Sequence, residues 1–332
     1  MTLHVQPLSP TNPNDALYLP AITRIHLAAW LTIPLIRAIY YGAPEAYPGY
    51  LDSMLERDTE AFRHEGNCRF AVVLDDTLPV DEEVKALEVP RAAGDDVQQQ
   101  GTRRTAAAAA AAAAKGKVIA AIKYYFIDTP SSSATTIDTA PSEHYPASSS
   151  SSTATRTWAP YSHARLASHF WSQLVNARTR LTALLGPHVL VDNLYTDPAH
   201  HRRGAGSLLM RHACEEADRR GLPAMLEASP KGIGVYESVG FQRFVPAEGE
   251  EESGAGAEIW VDLRRWENGG DKGVEFSEQR LQRDGGRRGD GWYCQVLMVR
   301  PAGTAGGSTK IGHQKEVEVE VAEMGKGEAA VI

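Results

Sequence analysis

Residues 192–241 read DNLYTDPAHHRRGAGSLLMRHACEEADRRGLPAMLEASPKGIGVYESVGF, and this stretch decides the fold. Just before and into it, residues 188–195 (HVLVDNLY) read as a strand. Residues 203–220 follow with helical spacing, 223–228 as a second strand and 232–239 as a short helix. A strand, a helix and a strand in succession suit a parallel pair joined by a crossover. Between the first strand and the helix stands His201-Arg202-Arg203-Gly204-Ala205-Gly206. Glycines there let the backbone approach a ligand and take φ > 0. The amides of a helix's first turn lack intrahelical acceptors, and the helix dipole adds about half a positive charge. Such a turn suits a pyrophosphate, and Arg202 and Arg203 bring full positive charge to it.

Taken alone, a Gly-x-Gly also reads as a turn eased into a helix. It is not a dinucleotide fingerprint, because Leu209 stands where a third glycine belongs, and the Walker pattern is absent. The wider context is more specific. Leu194-Tyr195-Thr196-Asp197-Pro198 precedes the turn and Tyr236-Glu237-Ser238-Val239-Gly240-Phe241 follows it. Together these resemble the GNAT superfamily of acyl-CoA-dependent N-acyltransferases. There an L-x-V-x-P-like strand end leads to [QR]-x-x-G-x-[GA], and a later helix ends in Y-x-x-x-G-F. Two positions depart from the pattern. His201 stands where Gln or Arg is usual, and Thr196 replaces an aliphatic residue.

The resemblance implies an α/β fold: a mixed, mostly antiparallel sheet with a splayed parallel strand pair and helices on both faces. It implies acetyl-CoA as cosubstrate and no metal. Leu194, Tyr195 and Thr196 would offer main-chain groups to the pantetheine arm. His201, Arg202, Arg203, Gly204, Ala205, Gly206 and Ser207 would surround the pyrophosphate. Ser229 lies near a second cofactor contact and reads equally as a helix cap. Tyr236 matches the family's general acid for the leaving thiolate. An attacking amine must lose a proton, and Asp192 is the candidate base, expected on the face of Leu194 two residues on. His188 is a weaker candidate on that face. The acceptor is expected to be the primary amine of a small molecule. Protein lysine or N-terminal acetylation, and a non-catalytic acyl-CoA-binding module, are the alternatives. Trp30, Tyr40, Tyr41, Tyr47 and Tyr50 form an aromatic stretch that suits either an acceptor pocket or helix packing.

Outward from this stretch, residues 3–7, 69–75 and 117–128 read as strands, and 16–41, 50–64 and 162–185 carry helical patterns. Residues 258–263 and 292–299 close the chain as strands. The pair 69–75 and 117–128 reads as a hairpin whose turn has been expanded. Unstructured inserts are expected at about 77–115 (with alanine throughout 106–114), 129–155, 249–256 and 268–291, because such compositions bury too little to offset backbone entropy. The organisation expected is one acetyltransferase domain over 1–301 and a flexible tail over 302–332.

The whole chain has 332 residues and a net charge of −8. Its pI near 5.8 argues against a general nucleic-acid binder, which needs a cationic surface. Without an apolar run near 20 residues or a leader-like N-terminus, the expectation is a soluble protein off the membrane, cytoplasmic or nuclear. Cys68, Cys214 and Cys294 are too few and too scattered for a disulfide framework or a zinc site.

Overall fold

The computed structural model describes residues 3–40, 47–80, 116–128, 162–245 and 257–303. The expected inserts at 129–155 and 249–256, most of that at 77–115 and nearly all of the tail lie outside these residues. Eight strands form one sheet: β1 Leu3–Leu8, β2 Cys68–Asp75, β3 Lys117–Ile127, β4 His188–Thr196, β5 Ala224–Ala228, β6 Gln242–Arg243, β7 Glu258–Asp262 and β8 Trp292–Arg300. Its order is β1-β2-β3-β4-β5-β8, with β6 and β7 sharing the outer edge of β8. All pairings are antiparallel except β4 with β5. The antiparallel β2–β3 pair is the expected hairpin.

The helices are α1 Leu19–Trp30, α2 Pro34–Ile39, α3 Tyr47–His64, α4 Ala164–Leu185, α5 Ala205–Arg219, α6 Ile233–Glu237 and α7 Val274–Arg283. Period-2 alternation splits β2 between the two faces. Ala71 and Val73 pack on the α5 side with Leu209, Met210 and Ala213. Phe70, Val72 and Leu74 pack on the α1 side with Ile22 and Ile25. Further along that second face, Leu166, Phe170, Leu174 and Leu181 of α4 meet Met225 and Leu297.

One expected insert is instead ordered. Residues 268–291 contain α7, which buries none of its residues, so apolar periodicity could not reveal it. Charged contacts hold the segment. Asp262, almost fully buried, accepts from Ser277 at 3.0 Å and from Arg280. Asp271 takes Arg265 at 2.5 and 3.0 Å and the Gly273 amide at 3.0 Å. Arg265 holds the Asp271 carboxyl well below the usual carboxylate range. Cys68 and Cys214 are buried thiols, pushed by burial up to about 12 and about 11. No helix among the described residues is long and apolar enough to cross a membrane.

Candidate active site

The parallel pair β4–β5 is joined in only two register positions, Val189 with Ala224 and Leu190 with Met225. Beyond Leu190 the strands part. β5 stays paired with β8 as far as Ala228 and β4 with β3 as far as Thr196. Among the described residues no strand pairs with the β4 edge that faces the gap. A cleft of about 660 Å³ opens there. Leu194, Tyr195 and Thr196 line it from β4, and Ser229 lines it from the end of β5.

A β-bulge shapes this edge. Lys123 pairs with Asn193 and Tyr124 with Val191, so Asp192 is the extra residue. The bulge reverses the alternation. Val191 and Leu194 both pack on the α5 side, whereas Asp192 meets Arg178 of α4 on the other face. The expected sharing of one face by Asp192 and Leu194 is therefore wrong, because a two-residue count assumes an unbroken pleat. His188 does not reach the cleft. It is fully buried, with Nδ1 2.7 Å from the Gly186 carbonyl, and burial holds its pKa below the ordinary value.

The turn after β4 begins with Asp197, whose carboxylate accepts the Ala199 amide at 2.9 Å. His201 Nε2 then donates to the Thr196 carbonyl at 3.1 Å, tying the turn back to its strand. Arg202 has φ 63° and Gly204 φ 85°, and α5 starts at Ala205. A Cβ on Gly204 would meet nothing within 4 Å, so glycine serves the backbone angle there rather than space. A Cβ on Gly206 would sit 3.6 Å from Thr196 Oγ1, an ordinary contact. His201, Arg202, Gly204, Ala205, Gly206 and Ser207 all line the cleft.

Arg203 does not. Its guanidinium turns to the buried carboxylate of Asp75 at the end of β2, and to His200 at 3.3 Å. Nothing in the sequence distinguishes it from Arg202; the left-handed residue between strand and helix sends the two side chains apart. The Thr77 hydroxyl above all, then the Thr77 amide and Arg203, pull the Asp75 carboxyl down to about 2. A carboxylate with a lowered folded pKa stabilises above its ordinary pKa of about 4 and loses that contribution as pH falls toward the folded value. Asp75→Asn is expected to cost about 1.5–3 kcal/mol at neutral pH. Calorimetric scans from neutral to acid pH check the sign: the Tm gap to wild type should be full above about pH 4 and close toward about pH 2.

Across the cleft, α6 presents Tyr236, buried against Phe241 with ring centroids 6.3 Å apart. Its neighbour Gly232 is needed for space: a Cβ there would come 2.6 Å from the Tyr236 ring. Burial, with the Glu227 carboxylate adding to it, pushes the Tyr236 phenol up to about 12, so it keeps its proton at neutral pH.

Two residues that the sequence reading passed over complete the site. Arg178 of α4 binds Glu227 of β5 through Nε at 2.5 Å and Nη2 at 2.9 Å, and reaches Asp192 at 3.1 Å through Nη1. The three side chains are 8 %, 4 % and 2 % exposed respectively, so two buried carboxylates share one guanidinium. Asn193 also donates to Asp192 at 3.0 Å. A signal existed for Arg178: it falls inside the buried stripe Leu174, Ala177, Leu181, where an unpaired cation would be costly. Of the aromatic stretch, Trp30 lines the cleft. Tyr40 and Tyr50 pack on each other at 4.9 Å, Tyr47 packs against the same apolar cluster as they do, and Tyr41 lies outside the described residues. Among the described residues no cluster of His, Cys, Asp and Glu is placed to hold a metal ion.

Residues 163–241 match the family model described as the acetyltransferase (GNAT) family. Over that segment the chain resembles the GNAT acetyltransferases. The match runs from α4 through β4, the turn, α5, β5 and α6 to Phe241, while α1, α2 and β8, which also line the cleft, lie outside it. No curated protein matches the chain. Among solved structures, one of a histone acetyltransferase HPA2 and related acetyltransferase from Corynebacterium glutamicum is 14% identical, over 92% of this chain and 98% of that one, with a TM-score of 0.40. A mosquito arylalkylamine N-acetyltransferase like 5b is 10% identical over 90% and 99%, with a TM-score of 0.43. Arabidopsis thaliana NAA60 is 9% identical over 90% and 97%, with a TM-score of 0.36. At such scores none of these likenesses carries an argument about the acceptor.

Proposed function

We propose that this chain is a cytoplasmic, acetyl-CoA-dependent N-acetyltransferase acting on the primary amine of a small molecule. One observation carries the reading: the splay of β4 from β5 leaves a strand edge and a helix N-terminus on one cleft with a protonated tyrosine. The residues present fit acetyl-CoA. The β4 edge from Asp192 to Thr196 offers main-chain groups to a pantetheine arm. The amides of Gly204, Ala205, Gly206 and Ser207, with Arg202, suit the pyrophosphate. Acetyl-CoA supplies the acetyl group as an activated thioester.

The chain's own residues hold and move protons. The amine must shed a proton before it attacks, and Asp192 and Glu227 are the carboxylates within the cleft that can take it, directly or through water. Arg178 engages both, and each carboxylate oxygen keeps a second lone pair for the amine or for a bridging water. As the new C–N bond forms and the C–S bond breaks, negative charge builds on the departing sulfur, and Tyr236, which lines the cleft, is in this reading the group that donates to it. The products are an amide and a free thiol. One sheet runs from Leu3 to Arg300, which supports a single acetyltransferase unit over residues 1–301 with the tail outside it. Release of thiol from acetyl-CoA on adding primary amines tests the proposal. Thiol release that depends on amine supports it, and none with any amine overturns it.

A further inference from the structure

The same cleft extends away from the turn, between α2, α4 and β8. Its walls are apolar and aromatic: Leu35 and Ile36 of α2, Phe170, Trp171 and Leu174 of α4, and Tyr293 of β8. Tyr293 offers its phenol to Gln295 at 2.5 Å, and Gln295 in turn donates to the Glu227 carbonyl at 2.8 Å. The charged groups lining this part are Arg178, Asp192 and Glu227, one cation against two carboxylates, and the buried Lys123 that also interacts with Asp192 is matched by Asp58 at 3.4 Å, so one negative charge is in excess. The other cations on the cleft stand apart from them. Arg202 belongs to the phosphate turn, and Lys231 reaches the Thr32 carbonyl at 3.4 Å at the mouth between α1 and α2.

We propose, resting on the acetyltransferase reading above, that the acceptor is a primary amine with a single positive charge on an apolar body, without a carboxylate or a second ammonium. The excess negative charge of the Arg178–Asp192–Glu227 group attracts one ammonium. Each carboxylate oxygen has a second lone pair, so an ammonium can bind there without displacing Arg178. A carboxylate on the acceptor would meet two anions and a guanidinium already engaged by both. A second ammonium would lose its water against Phe170, Trp171 and Leu174 with no anion beside it. The walls reward an apolar body by area buried.

The test compares phenethylamine, phenylalanine and spermidine at saturating acetyl-CoA, with acetyl-CoA binding measured separately by calorimetry. Phenethylamine is expected to exceed both others at least ~100-fold in kcat/KM, the range that an unmatched buried charge imposes. Glu227→Gln, which leaves no excess charge, is expected to lower kcat/KM for phenethylamine at least ~10-fold while acetyl-CoA binds unchanged. Phenylalanine or spermidine within tenfold of phenethylamine, as an order of magnitude, overturns the proposal and leaves the acetyltransferase reading standing. Acetylation of a lysine or N-terminal peptide with none of phenethylamine does the same. Failure of folded wild type to bind acetyl-CoA overturns both. Should Glu227→Gln not fold, the amine comparison on wild type decides alone.

Discussion

Tyr236→Phe is expected to lower kcat by ~10²–10⁴-fold, the usual contribution of a positioned acid or base, and to leave acetyl-CoA binding within about twofold of wild type. The change deletes one oxygen from a ring that is otherwise held by packing. Phe241 lies against it and Gly232 leaves room for it, so phenylalanine fills the same space. The phenol is protonated across the neutral range because burial, then Glu227, push it up to about 12. It can therefore donate a hydrogen bond to the departing sulfur, and that bond strengthens as negative charge builds there; because the thiol's own pKa is near 8.5, full transfer from the phenol is uphill even to a formed thiolate. Binding should be insensitive because the turn at Gly204–Gly206 and the β4 edge, not the phenol, suit the nucleotide and the arm. A parallel fall in kcat and in affinity would instead make Tyr236 a packing residue. Stopped-flow thiol release beside calorimetric titration separates the two.

The second large effect concerns stability. Arg178→Met is expected to cost about 3–5 kcal/mol, because it strands two buried carboxylates that share one cation. For a domain of this size that is a fall of roughly 10 °C in Tm. Methionine keeps most of the stem's apolar contact with the α4 stripe, so the loss is electrostatic rather than a cavity. The double variant Arg178→Met, Glu227→Gln removes half of the stranded charge and should recover a clear part of the Tm. A single variant losing less than about 1 kcal/mol, or a double variant no better than the single, would mean that the triplet does not behave as a buried ion network.

How far the sequence revealed this depended on whether the information was contiguous. β4, the turn, α5, β5 and α6 follow one another within 192–241, each with its own periodicity and glycine punctuation, and they stand where the spacing places them. Strand edges such as Cys68 and Thr196 shifted by a residue, as element ends do. What escaped was long-range or local to the backbone. Arg178, Asp192 and Glu227 come from three elements and meet only after folding. The bulge at Asp192 inverts a face and has no residue type that announces it. Arg203 is indistinguishable from Arg202 in sequence, and only the turn's backbone angles send it to Asp75. α7 is held by Asp262 and Asp271 rather than by an apolar stripe, so composition misrepresented it.

Whether the turn after β4 receives the nucleotide of acetyl-CoA is tested most directly by one titration. Gly206→Glu is the variant of choice. Its Cβ meets only ordinary contacts at Thr196 and Leu194, and Gly206 lies within α5 rather than at a left-handed position, so the fold should tolerate it. The new carboxylate would stand among the amides meant for a pyrophosphate. Isothermal titration with acetyl-CoA should give saturable binding by wild type and a loss of at least ~30-fold in the variant, about 2 kcal/mol of charge repulsion with Tm held. Equal affinity in the two proteins, or no binding by folded wild type, would contradict the assignment of this cleft.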